Sequence, residues 1–322
     1  MTDQTTGQVA GVDLSTSLAG LDLPHPVMSA SGCAGTGKEL AAFYDVADLA
    51  AFVTRSITLD PDAGHPPPRM VETPSGMLSA VGLQGPGVQG FLASELPWLA
   101  QRRTRTIVSI AGSTLGEYAE LVRRLAAGPG VAGIEVNLSH GGFEGVGRLL
   151  AGDPYQAARV ISVVRRDSPP GVPVFAKLVP DGQGVVAVAR AVVDAGADGV
   201  VLISSPLGMA IDPGTLRPAL GGTTGGLSGP AVRPLALRCV WEVHAAMPDL
   251  AIVGVGGVRS GLDALELVLA GASAVQVGSV TFADPSACTR VLRELAEELA
   301  SRSIARVADV VGRAHRLEGQ QL

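Results

Sequence analysis

Residues 251–285 read AIVGVGGVRSGLDALELVLAGASAVQVGSVTFADP, and the pattern inside this stretch decides the architecture. A short apolar, β-branched run (Ala251 to Val255) ends in Gly256-Gly257, a helical segment follows, and a second run (Ala274 to Val277) ends in Gly278-Ser279. Parallel strands joined by a helix bring both glycine turns to the same carboxyl edge of a sheet, where bare backbone N–H groups can surround a phosphate. In a (β/α)8 barrel the loops after strands 7 and 8 often do this. One such pair alone reads as a tight βα turn. Two pairs, one βα unit apart near the end of a barrel-length chain, point to phosphate binding by Gly256, Gly257, Gly278 and Ser279.

Working outward, the length of 322 residues fits two ordinary domains or one α/β barrel. Hydrophobic content of 47% and 42 glycines favour the barrel, with its buried parallel strands and tight loops. An aromatic content of 3% and a net charge of −6 argue against stacking on nucleic acid and against any polyanion, so the expected ligand is a small molecule. Cys33, Cys239 and Cys288 have no metal-ligand spacing and cannot all pair, which suggests a reducing compartment. The start, MTDQTTGQVAG, lacks the basic and apolar regions of a signal peptide, and charges interrupt the most apolar region, Val185 to Ile203. The expectation is a cytoplasmic protein with no membrane segment and no bound metal.

Apolar runs alternate with helical patterns throughout. Strands are predicted at Val27 to Ala30, Ala51 to Ser56, Thr106 to Ile110, Gly133 to Leu138, Val174 to Leu178, Val200 to Ser204, Ala251 to Val255 and Ala274 to Val277. Amphipathic helices are predicted at Leu115 to Ala127, Tyr155 to Arg166, Gly184 to Asp194 and Ala231 to Ala246. The fold class is therefore α/β, a (β/α)8 barrel read as one domain over residues 1–322. Three βα connections exceed simple turns and are expected to overhang the mouth: Thr58 to Gly87, Ser139 to Pro154 and Ser205 to Pro230. The first contains PPPRMVETPSGMLSAVGL, a candidate β-ribbon, and the second is glycine-rich.

Of 24 lysines and arginines only Lys38 and Lys177 are lysine, so a retained lysine suggests a site that needs one. Lys177, in VFAKLVP at the end of strand 5, is placed to enter the mouth, either paired with a loop carboxylate or touching a cofactor. Strand 4 ends in IEVNLSHGG, with Asn137 and His140. A neutral imidazole there can take a proton from carbon or oxygen, although a lone loop histidine can equally be surface decoration. His25, His65, His244 and His315 read as structural. Ser204 and Ser205 show no nucleophile-elbow pattern and suit hydrogen bonding.

These residues resemble the dihydroorotate dehydrogenases, most closely the catalytic subunit of the two-subunit bacterial class. The segments SLAGLDLPHPVMSASGC, RMVETPSGML, GLQGPG, IAGS, GADG, GGLSGPA, VGVGGV and FADP match in order over nearly the whole chain. The resemblance implies an FMN barrel with the phosphate on the last two βα loops. It implies further flavin contacts at Ala30, Ser31, Gly32, Asn137, Lys177, Ser228 and Gly229, with Arg55 and Ser109 standing where the family has a lysine and an asparagine. It also implies a homodimer and an iron-sulfur and FAD partner subunit. The departures cluster in the substrate pocket. His140, Gly141 and Gly142 replace the Cys-Pro-Asn that carries the family's base, and serines Ser79 and Ser204 stand where asparagines are expected. Arg55 is open to two readings, drift toward arginine or a two-bond grip on a carboxylate.

Lost hydrogen-bond partners cost about 1 to 3 kcal/mol each in a pocket built to use them. The favoured expectation is therefore an FMN oxidoreductase acting on a C–C or C=C bond beside a carbonyl of a small cyclic amide or carboxylate, not specific for orotate. His140 would move the proton, Lys177 would support the flavin, and Arg55, Ser79, Ser204 and Ser205 would bind substrate. The alternatives are a genuine dihydroorotate dehydrogenase of pyrimidine biosynthesis, or a flavin-binding homologue without catalysis.

Overall fold

The computed structural model describes residues 8–9, 11–126, 128–139, 152–180 and 184–316. Its centre is a sheet of eight parallel strands: β1 Val27–Ser29, β2 Phe52–Val53, β3 Thr106–Ile110, β4 Val131–Asn137, β5 Val174–Leu178, β6 Gly199–Leu202, β7 Ala251–Val255 and β8 Ala274–Val277. The hydrogen-bonded order is β1-β8-β7-β6-β5-β4-β3-β2. The two outer strands also meet, because Ala50 N donates to Val27 O at 3.0 Å and Val53 N donates to Ser29 Oγ at 2.9 Å. The sheet is thus closed, as the alternation of strand and helix predicts.

Helices follow β2 to β8 in turn: α1 Leu96–Gln101, α2 Leu115–Ala126, α3 Pro154–Asp167, α4 Val185–Asp194, α5 Arg233–Ala246, α6 Gly261–Ala270 and α7 Ala287–Ser301. Local chemistry sets their ends. Asp153 caps α3 by accepting from Tyr155 N and Gln156 N, with Pro154 in the first turn. Ser260 and Asp263 form a reciprocal capping box at α6, which stops at Gly271, a residue at φ 123°. No helix among the described residues is long and apolar enough to cross a membrane.

Apolar side chains occupy two layers. The larger lies between strands and helices, and the smaller fills the barrel, where Met28, Val53, Ile107, Phe175, Val201 and Val253 meet Leu18 and Leu23 of a hairpin closing the amino-terminal end. Phe175 needs room, and two glycines supply it: a Cβ on Gly199 would lie 3.0 Å from the Phe175 ring, and one on Gly133 would lie 3.3 Å from it. At the opposite end the connections after β2 and β6 join in one antiparallel sheet, in the order Leu207–Gly208, Gly225–Ser228, Gly76–Ser79 and Met70–Thr73. The predicted ribbon exists, and it takes two further strands from a connection more than 100 residues away.

Phe175→Ala empties the centre of the barrel and is expected to cost about 3 to 5 kcal/mol of unfolding free energy. Denaturant melts checked for an unchanged slope measure this directly. A loss below about 1 kcal/mol would mean that the ring is not what fills the interior.

Candidate active site

A cavity of ≈ 560 Å³ opens at the carboxyl end of the strands, a size suited to a small organic ligand. Its lining comes from the end of β1 (Ala30, Ser31, Cys33), the end of β5 (Lys177), the segment after β6 (Ser204, Ser205), the antiparallel sheet (Glu72, Gly76, Met77, Ser228, Gly229) and the turns after β7 and β8 (Gly256, Gly257, Gly278, Ser279). Among the described residues the backbone N–H groups of Gly257, Gly278 and Ser279 donate no hydrogen bond. The start of α6 is by contrast already satisfied: Asp263 accepts from Arg259 N and Ser260 N, and Glu294 accepts from Gly261 N at 2.9 Å. An anion would therefore be held by the glycine turns themselves. Gly257 is irreplaceable there, since it sits at φ 73° and a Cβ would come within 2.6 Å of Arg233.

Lys177 is 7% exposed and lines this cavity. Its partner is a strand carboxylate rather than a loop one: Nζ donates to Glu135 Oε1 at 3.2 Å and to Gln276 Oε1 at 3.3 Å, and Gln276 Nε2 donates to Glu135 Oε2 at 2.8 Å. The geometry follows from strand alternation. Glu135 precedes Asn137 by two residues on β4, Asn137 lies opposite Lys177 in the β4–β5 register, and all three therefore face the barrel interior.

A second polar network crosses the rim from β2 to β4. Asn137 Nδ2 donates to Ser56 Oγ at 2.8 Å, Ser56 Oγ lies 3.0 Å from Ser109 Oγ, and Asn137 Oδ1 accepts from Ser139 N at 2.9 Å. Asn137 and Ser109 stand beside the cavity without lining it. Arg55 is ion-paired with the buried Glu95, and its Nε has no partner. Gly32, at φ 82°, and Ser79 also lie off the lining. The pairing of Ser79 with Gly226 brings it near Ser205, whose Cβ would lie 2.8 Å from a Cβ on Gly226. His140 and the glycines after it fall outside the described residues.

His25 and His315 have structural surroundings. His25 Nε2 donates to Asp48 O at 2.7 Å while Nδ1 accepts from Val27 N at 3.3 Å, and burial holds its pKa below the ordinary value. His315 stacks on Trp241 with ring centres 3.6 Å apart. Cys33 is the cavity's thiol, and burial pushes its pKa up to about 11 despite the opposing effect of Lys177. At neutral pH it is protonated and unsuited to act as a base. Glu135, Gln276, Cys33 and Arg259 are site residues that sequence reasoning passed over. A glutamate and a glutamine inside otherwise apolar strands, IEVNL and AVQVG, were the available signal.

A ligand with a phosphate at one end and a flat ring at the other fits this lining, and FMN, carried by one class of barrel oxidoreductases, is such a ligand. The chain belongs to the dihydroorotate dehydrogenase family: the family pattern described as "Dihydroorotate dehydrogenase" matches residues 13–299. Similar proteins carry the name "Dihydroorotate dehydrogenase B (NAD(+)), catalytic subunit". That of Pelobacter propionicus is 46% identical over 300 residues, covering 93% of this chain and 98% of the relative. That of Geobacter sp. is 45% identical over 300 residues, covering 93% and 97%. That of Desulforudis audaxviator is 44% identical over 308 residues, covering 96% and 99%. The protein is accordingly an FMN-dependent oxidoreductase acting on CH–CH donors.

Because the Cys33 thiolate forms only as pH approaches 11, its alkylation rate is expected to keep rising from pH 7 to pH 10. Peptide mass mapping after timed iodoacetamide pulses reads this. A plateau near pH 8.5, the range of an ordinary thiol, would contradict the burial described.

Proposed function

We propose that this protein oxidises dihydroorotate to orotate as the catalytic subunit of a two-subunit dihydroorotate dehydrogenase. The observation that carries this is a pair of glycine turns and a lysine in one cavity, in a chain that relatives of that name match over 93% of its length. FMN, when bound, supplies the hydride acceptor. The turns of Gly256, Gly257, Gly278 and Ser279 would hold its phosphate, with Ser228, Gly229, Ala30 and Ser31 along its length. Lys177 opposes the negative charge that reduction places on the ring. Oxidation of a CH–CH bond beside a carbonyl releases one hydride and one proton. We assign the proton to His140, since an imidazole can accept one near neutral pH and the buried Cys33 thiol is a poor base.

Substrate contacts fall to Ser79, Ser204 and Ser205, with Arg55 as the cation at the end of β2. Its ion pair with Glu95 would orient the guanidinium for a carboxylate and satisfy part of its donors. A second reading stays open on one observation: Ser79 and Ser204 are hydroxyls where the family resemblance implies amides. Such a pocket would suit a related cyclic amide or unsaturated acid. The name of the relatives couples their reaction to NAD(+), so we place an iron-sulfur and FAD subunit between this chain and that acceptor, on a homodimer in the cytoplasm.

Anaerobic addition of dihydroorotate to the FMN-loaded protein is expected to bleach the flavin bands, and His140→Ala is expected to slow that bleaching about 100-fold or more. Bands that stay oxidised with dihydroorotate but bleach with another cyclic amide would establish the second reading. An unchanged rate in His140→Ala would remove the histidine from the reaction.

A further inference from the structure

We infer that Glu135, braced by Gln276, is a positioning residue that keeps the Lys177 ammonium charged and aimed at the flavin ring. This rests on the FMN reading above. The three side chains close a ring inside the barrel in which each touches the other two, at 3.2, 3.3 and 2.8 Å. They come from β4, β5 and β8, and β8 is separated from β5 by two intervening strands, so Gln276 reaches across the interior rather than along a neighbouring strand. Glu135 is 0% exposed and Gln276 1%, which leaves no water to replace either partner.

The chemistry of the donors fixes the arrangement. A carboxylate only accepts and an ammonium only donates, so Gln276 must turn its NH2 to Glu135 and its carbonyl to Lys177. Each Glu135 oxygen then holds one partner. Lys177 spends two of its three donors on Glu135 and Gln276, and the third remains for the cavity that the side chain lines. Gln276 sits two residues before Gly278, so the same strand that orients the lysine also begins the phosphate cradle. A buried ammonium without a counter-charge is disfavoured. Removing the charge of Glu135 therefore takes away the counter-charge that favours the ammonium and one of the two bonds that aim it. Lys177 lines the cavity and Glu135 does not, so the ring feels chiefly the loss of the cation.

The test is a spectroscopic redox titration of bound FMN in the full-length protein and in Lys177→Met, Glu135→Gln and Gln276→Leu. Lys177→Met and Glu135→Gln are each expected to weaken the preference for reduced over oxidised FMN by about ten-fold. Gln276→Leu, which keeps the ion pair, should weaken it in the same direction by about three-fold, and it stands as the test if Glu135→Gln does not fold. A purely structural plug would lower the melting temperature of these variants and leave the FMN potential where it was. A potential unchanged or raised in Glu135→Gln, with Lys177→Met lowered, overturns the inference alone. A potential unchanged in Lys177→Met with FMN still bound overturns the placement of Lys177 beside the ring, and the inference with it.

Discussion

Closure of eight parallel strands is the constraint from which the rest of this molecule follows. A parallel sheet buries both faces, and closing it makes one of those faces a narrow interior that side chains must fill. Phe175 fills the middle because Gly133 and Gly199 leave their Cβ positions vacant beside it. Beyond the Phe175 ring, toward the carboxyl end, polar groups enter the interior. They are tolerated only as a closed set. Glu135, Lys177 and Gln276 satisfy one another, so a charge can stand directly beneath a cavity without costing the fold its closure.

Closure also gathers all eight strand ends at one rim, which is why residues from opposite ends of the chain share a site. Ala30 N donates to Val277 O at 2.9 Å, tying the first strand to the last beside the glycine turns. The cradle proposed for phosphate would depend on backbone rather than on side chains or a helix terminus, because the capping box and Glu294 already occupy the first amides of α6. The side wall is built differently. Connections after β2 and β6, each long enough to be floppy alone, pair into an antiparallel sheet and so hold Gly76, Ser228 and Gly229 at fixed places along the cavity. Glycine at 229 permits that pairing, since a Cβ would lie 2.7 Å from Gly76 Cα.

On the other side of the barrel, side chains take over. The rim from β2 to β4 is lined by hydroxyls in mutual contact, Ser56 with Ser109 and with Asn137, and by an arginine held by Glu95. Hydroxyls rotate and accept or donate as required, whereas an amide presents a fixed donor and acceptor. Contacts made by hydroxyls at this rim therefore fix fewer bond directions than amides would.

Sequence by itself determined the barrel, the number of its strands and the turns that end the last two, because each depends on local chemistry: alternating periodicities, and glycine-containing pairs at two successive strand ends. Resemblance added FMN and the residues along it. The hairpin-like pairing after β2 was legible for the same local reason, in the PSG turn between two extended runs. Tertiary structure alone decided what Lys177 pairs with. Glu135 and Gln276 lie 42 and 99 residues away from it, and no periodicity links a residue on β8 to one on β5. It alone joined the connections after β2 and β6 into one sheet, held Arg55 against Glu95, and turned Ser109 and Asn137 toward Ser56. Such contacts depend on which strands face each other across a closed interior, and that is a property of the ring as a whole, which no single stretch of chain encodes.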